Sequence, residues 1–169
     1  MKKVYSIGCL LLLLVGINGD ALAHKAMSTS RPRVKPVQKR VVQVYLVAVD
    51  DNGKTGKKIG CNDSLVAVAR TIKPTRSPLK AALEELLVIP HDYSKQLGNY
   101  WWGENLKVKS VLIRKGVATI NISGNGPYVA GVCDEPRITS QIEETARQFP
   151  NVKRVKVFVN GRPLAEAIR

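Results

Sequence analysis

Ser77-Pro78-Leu79-Lys80-Ala81-Ala82-Leu83-Glu84-Glu85-Leu86-Leu87 is the stretch that decides the fold. Ser77 suits a helix N-cap and Pro78 the first helical position. Leu79, Leu83, Leu86 and Leu87 recur at i, i+4, i+7 and i+8 and make one apolar stripe, while Lys80, Glu84 and Glu85 face away. Pro90 stops the helix. A helix with one apolar face must lie on something, and the sequence on either side supplies strands.

Before the helix, Val41 to Val49 is β-branched and nearly continuous in apolar character, and Leu65 to Arg70 follows after the turn cluster Asp50-Asp51-Asn52-Gly53-Lys54. These two strands are expected to pair as a hairpin whose long loop carries Cys61. After the helix come strands at Leu106 to Arg114 and Val117 to Ser123, joined tightly through Lys115-Gly116. A second helix opens at Pro136, with Ile138, Ile142, Thr145 and Phe149 inward, and Pro150 ends it. Val152 to Asn160 is the last strand, and Asn160-Gly161 turns into a short closing segment, Leu164 to Ile168. The order β-β-α-β-β-α-β predicts an α+β two-layer sandwich, with two amphipathic helices on one face of a single mixed β-sheet.

The start of the chain predicts export. Lys2 and Lys3 precede the apolar run Cys9 to Val15, and Ala21-Leu22-Ala23 offers small residues for cleavage near Ala23. The run is too short to span a bilayer, which takes about 20 residues. Cys9 stands at its start, not after it, which disfavours a lipid-modified terminus. Removing Lys2, Lys3 and Asp20 from the 27 basic and 13 acidic residues lowers the net charge only from +14 to +13. Residues 24–40 form a basic, Pro-containing linker with Lys25, Arg31, Arg33, Lys35, Lys39 and Arg40 and no acid. It is either a solvated tether or an electrostatic arm for an anionic surface, including peripheral contact with a membrane. Residues 41–169 form the folded domain. An exported protein rarely meets nucleic acid, so the charge does not point there.

Cys61 and Cys133 remain after cleavage, and an even pair in an oxidising compartment is expected to form a disulfide. It would close roughly 70 residues, a contribution of about 4 kcal/mol in the chain-entropy account. The alternative, a thiol nucleophile, would need a basic partner.

Several stretches together resemble the GerMN domain, a spore-germination-protein-like family. They are Ser77 to Leu87, Lys115 to Ser123, Gln141-Ile142 with Thr145, Phe149-Pro150-Asn151-Val152, and Val155 through Leu164. The pattern covers Val41 to Ile168 as one copy of the domain. The resemblance implies an envelope protein, with relatives tied to sporulation and germination, that acts by binding or assembly.

Catalytic chemistry has little to stand on. His91 is the only histidine in the folded region, so any triad or metal site would rest on it alone. Glu84-Glu85 and Glu143-Glu144 are expected on solvated helix faces. Gly124-Asn125-Gly126 leads into Pro127, not into a helix. No enzyme, cofactor or metal is implied. The candidate binding surface is the loop with Tyr100, Trp101 and Trp102, adjoined by Lys107, Lys109 and Arg114, with Lys153, Arg154 and Lys156 adding charge. In the competing reading one tryptophan plugs the sheet end and the other caps it. The expected partner is an anionic cell-wall or surface polymer, or an envelope protein. A structural subunit assembling through sheet edges is the alternative, and a cell-wall hydrolase is the weakest. The oligomeric state is left open.

Overall fold

The computed structural model describes residues 39–169. The leader and the arm residues Lys25, Arg31, Arg33 and Lys35 lie outside the described residues; Lys39 and Arg40 lie inside and are exposed. The architecture is α+β, and the expected order of long elements holds. Strand β1 is Arg40–Ala48, β2 the two residues Lys57–Lys58, and β3 Ser64–Ile72. Helix α1 is Pro78–Val88, β4 Glu104–Arg114 and β5 Val117–Asn125. Then come helix α2 at Asp134–Arg147, β6 at Arg154–Val159, β7 at Arg162–Pro163 and the one-turn α3 at Leu164–Ala167.

The strands form two sheets where one was expected. β1, β3 and β2 make an antiparallel sheet, and β4, β5, β6 and β7 make a mixed one in which β5 and β6 run parallel. Both helices pack against both groups of strands, and one core joins them. Val44 and Leu46 of β1, Leu79, Leu83 and Leu86 of α1, Ile120 and Ile122 of β5, Ile138 and Ile142 of α2, and Val157 and Val159 of β6 all belong to it. The β4–β5 connection places Lys115 at φ 47° and Gly116 at φ 77°. Two successive positive φ values match the right-handed twist of the flanking strands.

The reason for two sheets lies at the free edge of β1. An unpaired strand edge exposes N–H and C=O groups at alternate residues. Side chains of α2 take those groups instead of another strand. Gln148 accepts from Gln43 N–H (2.8 Å) and donates to Gln43 C=O (2.6 Å). Thr145 Oγ1 accepts from Tyr45 N–H (3.2 Å), and Gln141 Nε2 donates to Tyr45 C=O (2.8 Å). Beyond them, Val47 and Gly98 exchange two backbone bonds of 2.9 and 2.8 Å. The spacing 141, 145, 148 keeps the three side chains on one helix face. Gln141 and Thr145 are fully buried.

Gln141 bonds Tyr45, Tyr100 and Asn99 at once. Gln141→Leu keeps the bulk but strands the Tyr45 carbonyl and Tyr100 amide, each worth about 1–3 kcal/mol when buried unpaired. Urea unfolding should therefore show a loss of about 3 kcal/mol or more, against about 1 kcal/mol for the half-buried Gln148→Ala.

Candidate functional site

The segment between α1 and β4 is built from the inside out. Asn99 is fully buried, and its Nδ2 donates to the carbonyls of Leu86 and Ile89, both at 2.8 Å. It thereby adds a second donor to the Leu86 C=O, which Ile89 N–H reaches at 3.4 Å, and satisfies the Ile89 C=O just past the end of α1. Asn99 Oδ1 accepts from Trp101 N–H (3.1 Å), and the Trp101 indole N–H donates to Ile138 C=O (2.7 Å). Trp101 has no exposed surface. It is a core side chain that locks this segment to α2, which corrects its place in the expected binding surface.

With Asn99 and Trp101 turned inward, Tyr100 and Trp102 turn outward, as alternation in an extended chain requires. They join His91 and Tyr128 in a line of rings. Tyr100 and His91 meet edge-on at 5.2 Å, His91 and Trp102 lie 5.2 Å apart, and Trp102 and Tyr128 lie 4.9 Å apart. Trp102 and Tyr128 are each 38% exposed. His91 Nδ1 lies 2.8 Å from the Asn99 carbonyl, which can only accept, so Nδ1 carries the proton. Gly103 brings this segment against the next. A Cβ there would fall 2.2 Å from the Asn125 carbonyl oxygen, and this close approach allows Tyr128 to reach Trp102.

The Tyr100 end of the line rests on charge. Arg137 stacks over the Tyr100 ring with Cζ at 4.8 Å. Its Nε donates to Asp63 at 2.5 Å and its Nη1 to Asp134 at 3.2 Å. Asp63 is fully buried, and its other oxygen accepts from Asp50 N–H (3.0 Å). Asp134, in the first turn of α2, accepts from the amides of Ala130 and Gly131. Burial works against the Arg137 charge, but the Asp63 hydrogen bond, Tyr100 and Asp134 outweigh it and hold its pKa above the ordinary value. The Cys61–Cys133 disulfide, with Cα atoms 5.8 Å apart, ties the turn before β3 to the start of α2. Asp63 stands two residues beyond one cysteine and Asp134 next to the other, so the bridge staples the carboxylates around Arg137.

Beside Tyr100 and His91 opens a cavity of about 530 Å³, also lined by Asp51, Val66, Asp92 and Lys95. Hydrogen bonds from Ser64 and Thr55 hold the Asp51 carboxyl below its ordinary range. The carboxylate is thus engaged by β3 and by its own turn.

The remaining expected residues fall elsewhere. Lys107 and Lys109 are exposed on β4. Arg114 ends β4 at the hairpin tip, ten residues from Glu104, or roughly 30 Å at the rise of a strand. Arg114 therefore stands apart from the aromatic loop. Sequence reasoning missed two members of the ring line, His91 and Tyr128, and the Arg137 that supports it. His91 reads as a loop residue, Tyr128 sits among glycines and a proline, and Arg137 carries only the weak hint of Asp134 at i−3.

Residues 43–165 match the Germane family, described as sporulation and spore germination. No curated protein matches the chain. Solved structures that are similar include two of GerMN domains. The tandem GerMN domains of the sporulation protein GerM from Bacillus subtilis share 20% identity over 80% of this chain, with a TM-score of 0.54. The first GerMN domain of the same protein shares 24% identity over 74% of this chain and 86% of its own length, with a TM-score of 0.53. Identities this low speak for fold alone. The chain spans 43% of the tandem structure.

Three measurements probe the site's framework. Unreduced protein should be lighter by two hydrogens than the reduced form, and Cys61→Ser with Cys133→Ser should lower unfolding free energy by about 4 kcal/mol. Burial, opposed by Arg137, raises the Tyr100 phenol above its ordinary 10.0. The folded state favours the neutral phenol. That contribution to stability is intact below pH 10.0 and is lost as pH rises through the raised value. Absorbance titration at 295 nm should lose its latest-titrating tyrosine in Tyr100→Phe.

Proposed function

We propose that this chain, which belongs to the Germane family of sporulation and spore-germination domains, is an exported, non-enzymatic binding module of the bacterial cell envelope. The observation that carries the reading is the line of rings in which Trp102 and Tyr128 are exposed and His91 and Tyr100 half-buried. Its rings are held from below by buried hydrogen bonds, so presenting them to a partner takes little reordering. Tryptophan and tyrosine offer a large apolar face with a polar tip, which suits sugar rings or a protein edge. Arg137 is neutralised by Asp63 and Asp134, so recognition along this line rests on ring faces more than on charge.

Export is supported by the leader-like residues 1–23. His91 lies between two rings with one nitrogen committed to a backbone carbonyl, an arrangement that favours support over acid–base work. Assembly through sheet edges has less support. The β1 edge is occupied by α2, and the β4 edge carries Lys107 and Lys109 beside irregularities in its register with β5. Charged residues and bulges are common guards against edge pairing.

Co-sedimentation with purified cell-wall sacculi tests the reading, in salt high enough to screen the cations. Trp102→Ala and Tyr128→Ala should each weaken binding by about 1–2 kcal/mol, or roughly five- to thirtyfold, with unfolding unchanged. Trp101→Ala should instead destabilise the domain by about 3–5 kcal/mol. Unaltered binding by both surface variants would turn the reading down.

A further inference from the structure

The outer face of the β4–β5–β6 sheet is a second surface. Side chains that face the core from these strands include Val108, Ala118, Ile120, Ile122, Val157 and Val159. The residues between them point the other way, and the register sets them in rows. Arg114, Val117 and Arg154 form one row, Leu112, Thr119 and Lys156 the next. Ser110, Asn121 and Phe158 form a third, and Lys107 pairs with Ser123 beyond it. Lys107, Arg114, Arg154 and Lys156 are all exposed. Glu104, at the far end of β4 opposite Asn125, is the one acid in these rows.

Charge is segregated on this domain. Among the described residues, the ion pairs join Lys57, Arg70, Lys80, Arg137 and Arg147 to Asp63, Asp134 and glutamates of the two helices. None of the pairs involves the four cations of the sheet face. Two acids line a groove shared with Lys156: Glu143 is held by Arg147 at 2.7 Å, and Glu135 is exposed and in no ion pair among the described residues. With four cations against Glu104 and the neighbouring Glu135, the face stays net positive.

We infer that this face docks a linear polyanion of the phosphodiester type, a chain of phosphates joined by sugar or polyol units. Three features select that chemistry. Arg154 and Lys156 are two residues apart, roughly 6.6 Å along the strand, and Arg114 lies two strands from Arg154, roughly 10 Å away. That spacing suits charges repeated along a chain. Hydroxyl and amide groups of Thr119, Asn121, Ser123 and Ser110 sit between the cations, with Asn121 Nδ2 donating to Ser110 Oγ at 2.9 Å. They supply neutral hydrogen bonds beside the charges, as phosphate backbones are commonly held. Leu112, 55% exposed, and Phe158 offer apolar contact to the carbons between phosphates. A twisted sheet follows a flexible chain along its strands, whereas a planar headgroup layer meets only its high points.

This face is separate from the aromatic line and is tested on its own. The measurement is the affinity of the chain from His24 onward for a fluorescent poly(glycerol phosphate) oligomer, read by anisotropy across a salt series. Arg114→Glu, Arg154→Glu and Lys156→Glu together should lower affinity by at least ~30-fold. Their log–log salt slope should be shallower by about 2, at roughly 0.7 for each phosphate of a single strand that is no longer neutralised. The milder glutamine versions of the same three should fall in the same direction, and thermal melting checks that both sets fold. Lys58→Glu in β2, with Lys54→Glu and Lys73→Glu in the loops flanking the other sheet, make the same charge change and should cost less than threefold, a tolerance of about 0.7 kcal/mol. Equal losses in both sets would overturn the inference, since net charge alone would then explain binding. Tighter binding to phosphatidylglycerol vesicles at equal total phosphate would overturn it in favour of a membrane. Loss of polymer binding in Trp102→Ala but not in the sheet variants would place the polymer on the aromatic line and overturn it as well.

Discussion

The free edge of β1 is the constraint on which this structure turns. A buried strand edge must find partners for its N–H and C=O groups, because leaving them unpaired is expensive. Here a helix supplies them. Gln141, Thr145 and Gln148 reach Gln43 and Tyr45 in the way a neighbouring strand would. This one substitution of side chains for backbone has three consequences. It ends the first sheet at β1. It sets α2 against that edge. Through Gln141 it also fixes Asn99 and the amide of Tyr100, and so the whole segment that carries the rings.

The aromatic line is an outcome of that internal order. Asn99 and Trp101 are drawn in by hydrogen bonds to the two helices, so their neighbours must face out. Arg137 completes the support from below, held by a fully buried carboxylate. Breaking such a pair leaves an unpaired buried charge, a larger penalty than the pair's own net worth. The disulfide beside it ties the turn before β3 to the start of α2. The exposed rings thus sit on a rigid base, while the cationic sheet face is a plain solvated surface that needs no such scaffolding.

Family membership and fold agree with one another, and both leave the partner to chemistry. The two surfaces differ in what they reward. Ring faces over a neutralised arginine favour flat, uncharged contact. Rows of unpaired cations favour repeated negative charge and lose strength with salt.

Much of this was legible in the residues themselves. Leucines at helical spacing, the tight turn at Lys115-Gly116, the alternation of Ala118, Ile120 and Ile122, and the two cysteines all encode local or covalent facts. Local periodicity says which way a side chain faces, so the order of elements and the fold class followed from it. It does not say which strand neighbours which, and so one sheet was expected where two stand. Nor does it separate Trp101 from Trp102, adjacent residues of one kind whose fates depend on a carbonyl of α2 thirty-seven positions away. The ring line is drawn from α1's exit, the loop before β4 and the loop before α2, and no spacing in the chain announces it. What the sequence alone determined is the set of elements and their apolar faces, because those depend on near neighbours. What only the tertiary structure decided is the closure of β1 and the surfaces built upon it, because hydrogen bonds between distant residues chose the partners.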